Sequence, residues 1–102
     1  MKLILTRAAL DDLRLIRTYT LENWGETQEQ LYLDRIWARF ETLRAHPTRF
    51  RQRPDLFPGC RIAAQGRHLI LFRCDEESLE IVRVLHAAMD LKRHIQWPEA
   101  GE

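Results

Sequence analysis

The residues Asn23-Trp24-Gly25 separate two amphipathic segments, and that short break constrains the fold more than any other feature of the chain. Upstream of it, Leu10, Leu13, Ile16 and Thr20 recur at helical spacing, with Leu15 and Tyr19 beside them. Downstream, Tyr32, Ile36, Phe40 and Leu43 form a second apolar stripe, widened by Leu33 and Trp37. Gly25 suits the left-handed position that ends the first helix. Thr6 is its expected N-cap, with Asp11 and Asp12 near a helix start where the dipole favours acids. Thr27 and Gln30 have capping-box spacing for the second helix. Pro47 ends that helix, because proline lacks an N–H and disfavours helical geometry at the preceding His46. Two helices joined so closely run antiparallel, so residues 7–46 are expected to form a helical hairpin. Trp24 reads as a packing anchor at its tip.

The remainder reads as strands. Lys2 to Thr6 alternates weakly and forms a short opening strand. Pro47 to Gly59 carries three prolines and three arginines and reads as a loop, with Phe50 and Phe57 pinning it to the core. Cys60 to Gln65, His68 to Cys74 and Leu79 to His86 follow, separated by turns at Gln65-Gly66-Arg67 and Asp75-Glu76-Glu77-Ser78. Both connections have hairpin length, so an antiparallel three-stranded meander is expected. His68-Leu69-Ile70-Leu71-Phe72 is apolar on both faces and belongs inside the sheet. The expected class is α+β, in the order β-α-α-β-β-β. With 102 residues there is room for one domain, taken as residues 1–96, with 97–102 as a flexible tail and Trp97 exposed. Ala87 to Gln96 reads as a last helical turn or a loosely packed extension.

Composition excludes several classes. At 45% hydrophobic and 30% charged, the chain matches ordinary globular domains rather than fibrous or disordered ones. No apolar run approaches the ~20 residues of a membrane helix, and Leu3-Ile4-Leu5 is too short for a signal-peptide core, so a cytoplasmic location and no membrane contact are expected. Cys60 and Cys74 lie in no C-x-x-C or Cys/His cluster, so reduced thiols, no metal and no cofactor are expected.

Charge is unevenly spread. Fourteen of the sixteen basic residues are arginine, and from Arg44 to Cys74 seven arginines face one acid, Asp55. Arginine forms bidentate contacts to carboxylates and phosphates, so this segment reads equally as a surface for an acidic partner or as a solvated basic loop. Arg83 interrupts the apolar run Leu79 to His86. An unpaired guanidinium is costly inside a sheet, so Arg83 must reach a carboxylate, carbonyls or a groove.

Several short patterns fall in order along the chain. They are Ala9, Asp12, Leu13, Ile16 and Tyr19; Trp24-Gly25; Leu43-Arg44-Ala45-His46-Pro47; Pro58-Gly59-Cys60-Arg61; Gly66-Arg67-His68; and Arg83-Val84-Leu85-His86-Ala87-Ala88-Met89-Asp90. Together they resemble the RelE/ParE toxin superfamily over roughly residues 5–95, and its ParE branch most closely. The resemblance implies a toxin of a type II toxin–antitoxin system, held inactive by a ParD-like antitoxin and acting on DNA gyrase. It also implies two alternatives: a RelE-like, ribosome-dependent mRNA interferase, or a non-toxic relative that still binds antitoxin.

The interferase branch uses basic and tyrosine or histidine groups on the open sheet face and C-terminal strand. Cleavage through a ribose 2′-hydroxyl needs a base, an acid and cations on the phosphate. Arg61, Arg83 and His86 are the candidates here, with His68 behind them. No lysine lies between Lys2 and Lys92, and no tyrosine follows Tyr32. His86 therefore reads as a strand-end histidine bonded to a backbone carbonyl, and direct nucleic-acid binding is not expected. Under the ParE reading, Arg83, Met89, Asp90 and Arg93 are target-contact candidates. Arg44, Arg49, Arg51, Arg53, Arg61 and Arg73 are candidates for gripping an acidic antitoxin tail.

Overall fold

The computed structural model describes residues 1–95. The proposed tail at 97–102, with Trp97, lies outside the described residues. Strand β1 (Lys2–Leu5) leads into helices α1 (Arg7–Trp24) and α2 (Glu26–Ala45). A 3-10 turn (Pro47–Arg49) and strands β2 (Arg51–Gln52), β3 (Arg61–Gln65), β4 (His68–Cys74) and β5 (Ser78–His86) follow, then a short α3 (Leu91–His94). Thr6 caps α1 as expected, its hydroxyl accepting the Ala9 N–H at 3.0 Å. Gly25, at φ +90°, ends α1 and also starts α2. Helix α2 therefore begins at Glu26, one residue before Thr27, and the expected capping box does not form. Asp11 and Asp12 sit beyond the first turn of α1, so the dipole is not what holds them there.

The sheet has five strands, in the order β1-β5-β4-β3-β2. The expected meander β3-β4-β5 is its centre. Two features extend it. β1 pairs with β5 in parallel, from Lys2 against Ser78 to Leu5 against Ile81. Inside the segment read as loop, Arg51 and Gln52 pair with Ile62 and Arg61 as a two-residue edge strand.

Both sheet faces are covered. The helical hairpin packs Ala9, Leu13, Ile16, Ile36, Phe40 and Leu43 against Ile70, Phe72, Leu79, Ile81 and Val84. On the other face, Leu56, Phe57 and Cys60 from the proline-rich segment lie over Leu71 and Val82, with Leu91 and Ile95 packed alongside. The extension after His86 is thus tied down by two apolar side chains, which corrects its reading as loosely packed. β4 is buried on both sides, as its sequence requires: Ile70, Leu71 and Phe72 are all fully inaccessible. Phe50 stacks edge-on against Phe72, and Arg39 lies over its ring. Trp24 is 63% exposed, so the hairpin tip is not anchored by it.

Opposite Leu71 and Phe72 the ladder slips. Leu71 faces Arg83 while Phe72 faces Ile81, leaving Val82 as an extra residue in β5. Such a bulge bends the strand and re-aims the side chains around it. It puts Ile81 and Val84, three residues apart, on the same helical side of the sheet.

Candidate functional site

Arg83 lies opposite Leu71 in the ladder, and its guanidinium reaches Asp12 on α1. Its Nε and one terminal nitrogen donate to the two carboxylate oxygens of Asp12, at 2.7 and 2.8 Å. Asp12 also accepts the Val84 backbone N–H at 3.0 Å. Above it, the Thr6 hydroxyl donates to the Val82 carbonyl at 2.7 Å. The remaining terminal nitrogen of Arg83 donates to the His94 carbonyl in α3, at 2.7 Å. One guanidinium thus joins α1, β5 and α3. Asp12 holds it firmly protonated, outweighing burial. Sequence reading missed Asp12 as the partner. The signal was present, because Asp12 lies on the stripe Ala9, Leu13, Ile16 and Thr20 that α1 buries.

A second cluster closes the far end of the sheet. Tyr32 reaches from α2 across the β3–β4 turn, where its hydroxyl lies 3.1 Å from the Gln65 carbonyl and accepts the Arg67 N–H at 3.2 Å. The same hydroxyl lies 2.6 Å from Nδ1 of His68. All contacts are satisfied if the hydroxyl donates to Gln65 and accepts from an Nδ1-protonated His68. Gly66 is required here: its φ is +58°, and a Cβ would fall 2.6 Å from the Tyr32 oxygen. Across the ladder His68 faces His86, their ring centroids 5.4 Å apart. Nδ1 of His86 accepts the Ala88 N–H at 3.0 Å, so its backbone partner is an amide rather than the expected carbonyl.

Burial pushes the His68 imidazole below its ordinary range, and His86 adds to this, with Asp12 opposing weakly. Burial also raises the Tyr32 phenol, so it remains a neutral hydrogen-bonding group. A histidine with a depressed folded-state pKa stabilises the fold above its unfolded value of about 6.5. It loses that contribution as pH falls below this value. Melting temperature should therefore drop between about pH 7 and about pH 5, and His68→Gln should flatten the drop. A pH series of thermal melts on both proteins checks this.

The interferase candidates are not brought together. Arg61 pairs with Phe72 at one end of the sheet, whereas His68 and His86 face each other at the other. The four residue steps along β4 between Phe72 and His68 correspond to roughly 13 Å. Arg61 donates to the Phe50 carbonyl at 2.7 Å, and Arg83 is occupied by Asp12.

The arginine-rich segment is partly self-neutralised. Arg44 pairs with Glu41, Arg53 forks onto Asp55 and Arg73 pairs with Glu80. Arg53 lowers the Asp55 carboxyl to about 2. Arg49 and Arg51 are exposed beside the β2 edge. Met89, Asp90 and Arg93 are exposed together around α3, which Lys92 links to Asp55 at 3.8 Å. Cys60 is buried, which pushes its thiol up to about 12 and keeps it protonated. Among the described residues, no group of three or more His, Cys, Asp or Glu is placed to hold a metal ion. No described helix is long and apolar enough to cross a membrane.

Between α1 and α2 an open groove of about 540 Å³ is lined in part by Leu10, Leu13, Leu33 and Trp37. Arg14 and Arg17 of α1 and Glu26, Glu29, Gln30 and Asp34 of α2 also line it, and Arg17 pairs across it with Glu29 at 3.0 Å. Leu15, Tyr19 and Trp24 are more than half exposed elsewhere on α1.

These features define a class: a small α+β domain with a covered sheet and apolar side chains displayed on its helices. A family model described as "ParE toxin of type II toxin-antitoxin system, parDE" matches residues 3–91. Toxin ParE1 of Caulobacter vibrioides is 34% identical over 91 residues, covering 89% of this chain and 94% of its own. Toxin ParE of Escherichia coli is 37% identical over 90 residues, covering 86% of each. A solved structure described as the chromosomal ParDE TA system from P. aeruginosa shares the fold, with a TM-score of 0.72 at 23% identity. It covers 84% of this chain and 95% of the other. The chain belongs to the ParE toxin family of type II toxin–antitoxin systems.

Proposed function

We propose that this chain acts in the cytoplasm on DNA gyrase and is neutralised by a ParD-like antitoxin. The observation that carries the choice of target is the covered second face of the sheet. Where an interferase would hold RNA on an open face, Leu56, Phe57 and Cys60 pack over Leu71 and Val82. The separation of Arg61 from His86 supports the same reading, since general acid–base catalysis needs its groups within hydrogen-bond reach of one substrate.

For the antitoxin, the groove between α1 and α2, where Leu10, Leu13, Leu33 and Trp37 lie among charged side chains, suits an amphipathic helix. Arg49 and Arg51 at the β2 edge suit an acidic continuation of that partner. Met89, Asp90 and Arg93 are exposed, which supports reading them as the target-facing surface.

Purified protein added to gyrase and relaxed plasmid should block supercoiling or accumulate cleaved DNA. Primer extension on translated mRNA should show no new stops. Codon-specific cleavage with unaffected gyrase would replace this reading with the interferase one.

A further inference from the structure

We infer that Arg83 is a positioning residue for the C-terminal helix: it holds α3 in the orientation that presents Met89, Asp90 and Arg93, and does not itself touch the target. This rests on the reading that the segment after His86 meets the target.

The geometry is specific. A guanidinium offers donors on separate edges. Here Nε and one terminal nitrogen are committed to Asp12, and the other terminal nitrogen to the His94 carbonyl. The Arg83 side chain is 22% exposed and that of Asp12 only 8%, so little of the pair is left for an outside ligand. The His94 carbonyl lies at the end of α3, where a helix leaves carbonyls without internal partners and favours a cation. A helix of four residues cannot hold itself, because nucleation costs more than its few hydrogen bonds return. Its orientation comes from outside: Leu91 and Ile95 packed on the second core, the long Lys92–Asp55 contact, and Arg83. Of the two polar ties, only Arg83 reaches back to a buried group on α1.

Arg83→Lys separates the two jobs. An ammonium can pair with Asp12, but its compact head lacks the planar spread of donors by which the guanidinium forks onto Asp12 and reaches the His94 carbonyl at once. Amide exchange is read at Arg93 and Ile95, whose N–H groups bond the Asp90 and Leu91 carbonyls. Exchange there should speed up about tenfold, the worth of one charge-assisted hydrogen bond, while amides of β4 and β5 stay within about twofold. Growth inhibition on induction should fall in step. Leu91→Ala loosens the same helix with the Asp12–Arg83 pair intact, and should reproduce both effects.

Unchanged exchange at Arg93 and Ile95 in Arg83→Lys would overturn the inference. So would full growth inhibition by Leu91→Ala once its α3 amides exchange faster. If Arg83→Lys speeds exchange throughout the sheet, Leu91→Ala decides alone. Growth inhibition is scored without reference to a target, so failure of the gyrase assay is a separate result.

Discussion

Arg83→Ala is expected to destabilise the protein by about 3 kcal/mol, the lower end for removing one partner of a buried ion pair. The lower end applies because Arg83 retains 22% side-chain exposure. Asp12 would be left with the Val84 N–H as its remaining protein donor among these contacts. The loss should be strongly non-additive. Asp12→Ala with Arg83→Ala should cost less than the sum of the single changes, because neither charge is then stranded. Denaturant melts of the two single variants and the double variant measure this directly. Independent, additive costs would mean that solvent already compensates Asp12.

Phe57→Ala should cost about 3–5 kcal/mol, as expected for truncating a fully buried aromatic side chain. Phe57 is 2% exposed and is the largest side chain over Leu71 and Val82. Its removal opens a cavity beneath the proline-rich segment and loosens the surface on which Leu91 and Ile95 rest. Thermal melting gives the magnitude. A loss below about 1 kcal/mol would show that the segment collapses into the space, leaving little residual cavity.

The hairpin and the central meander were legible in the sequence because each depends on local periodicity. Tyr32, Ile36, Phe40 and Leu43 repeat at helical spacing, and Gly25 and Pro47 mark the ends of α2. The pinning of Phe50 and Phe57 was also legible, since large apolar side chains in a polar loop must go somewhere. Three features were not. β2 is two residues long and exists because Ile62 and Arg61 offer it a ladder, not because Arg51-Gln52 favours extension. The β5 bulge leaves no trace in Val82-Arg83-Val84, because apolar neighbours on both sides mask the change of parity. Trp24 resembled an anchor by residue type, but 63% of it faces water.

At the candidate site, the sequence required a partner for Arg83 but not its identity. Asp12 lies 71 residues away, and only its place on the buried stripe of α1 pointed to it. The arginine excess was visible, but its partial cancellation through Glu41, Asp55 and Glu80 depends on tertiary placement. The Tyr32–His68–His86 chain was hidden for the same reason, since three elements contribute one residue each.

The parallel pairing of β1 with β5 bears on when this domain can exist during its own synthesis. Among the described residues, Lys2 to Leu5 find their ladder partner in Ser78 to Ile81, and Thr6 meets Val82 across 76 residues. Contacts this distant in sequence require a large loop to close before they return any stability, which slows folding. A nascent chain holding both helices still lacks the strand that β1 and much of α1 pack against. The helical hairpin therefore emerges from the ribosome before β5 does and before Arg83 can engage Asp12. Translation order places emergence of the hairpin ahead of completion of the surface around α3.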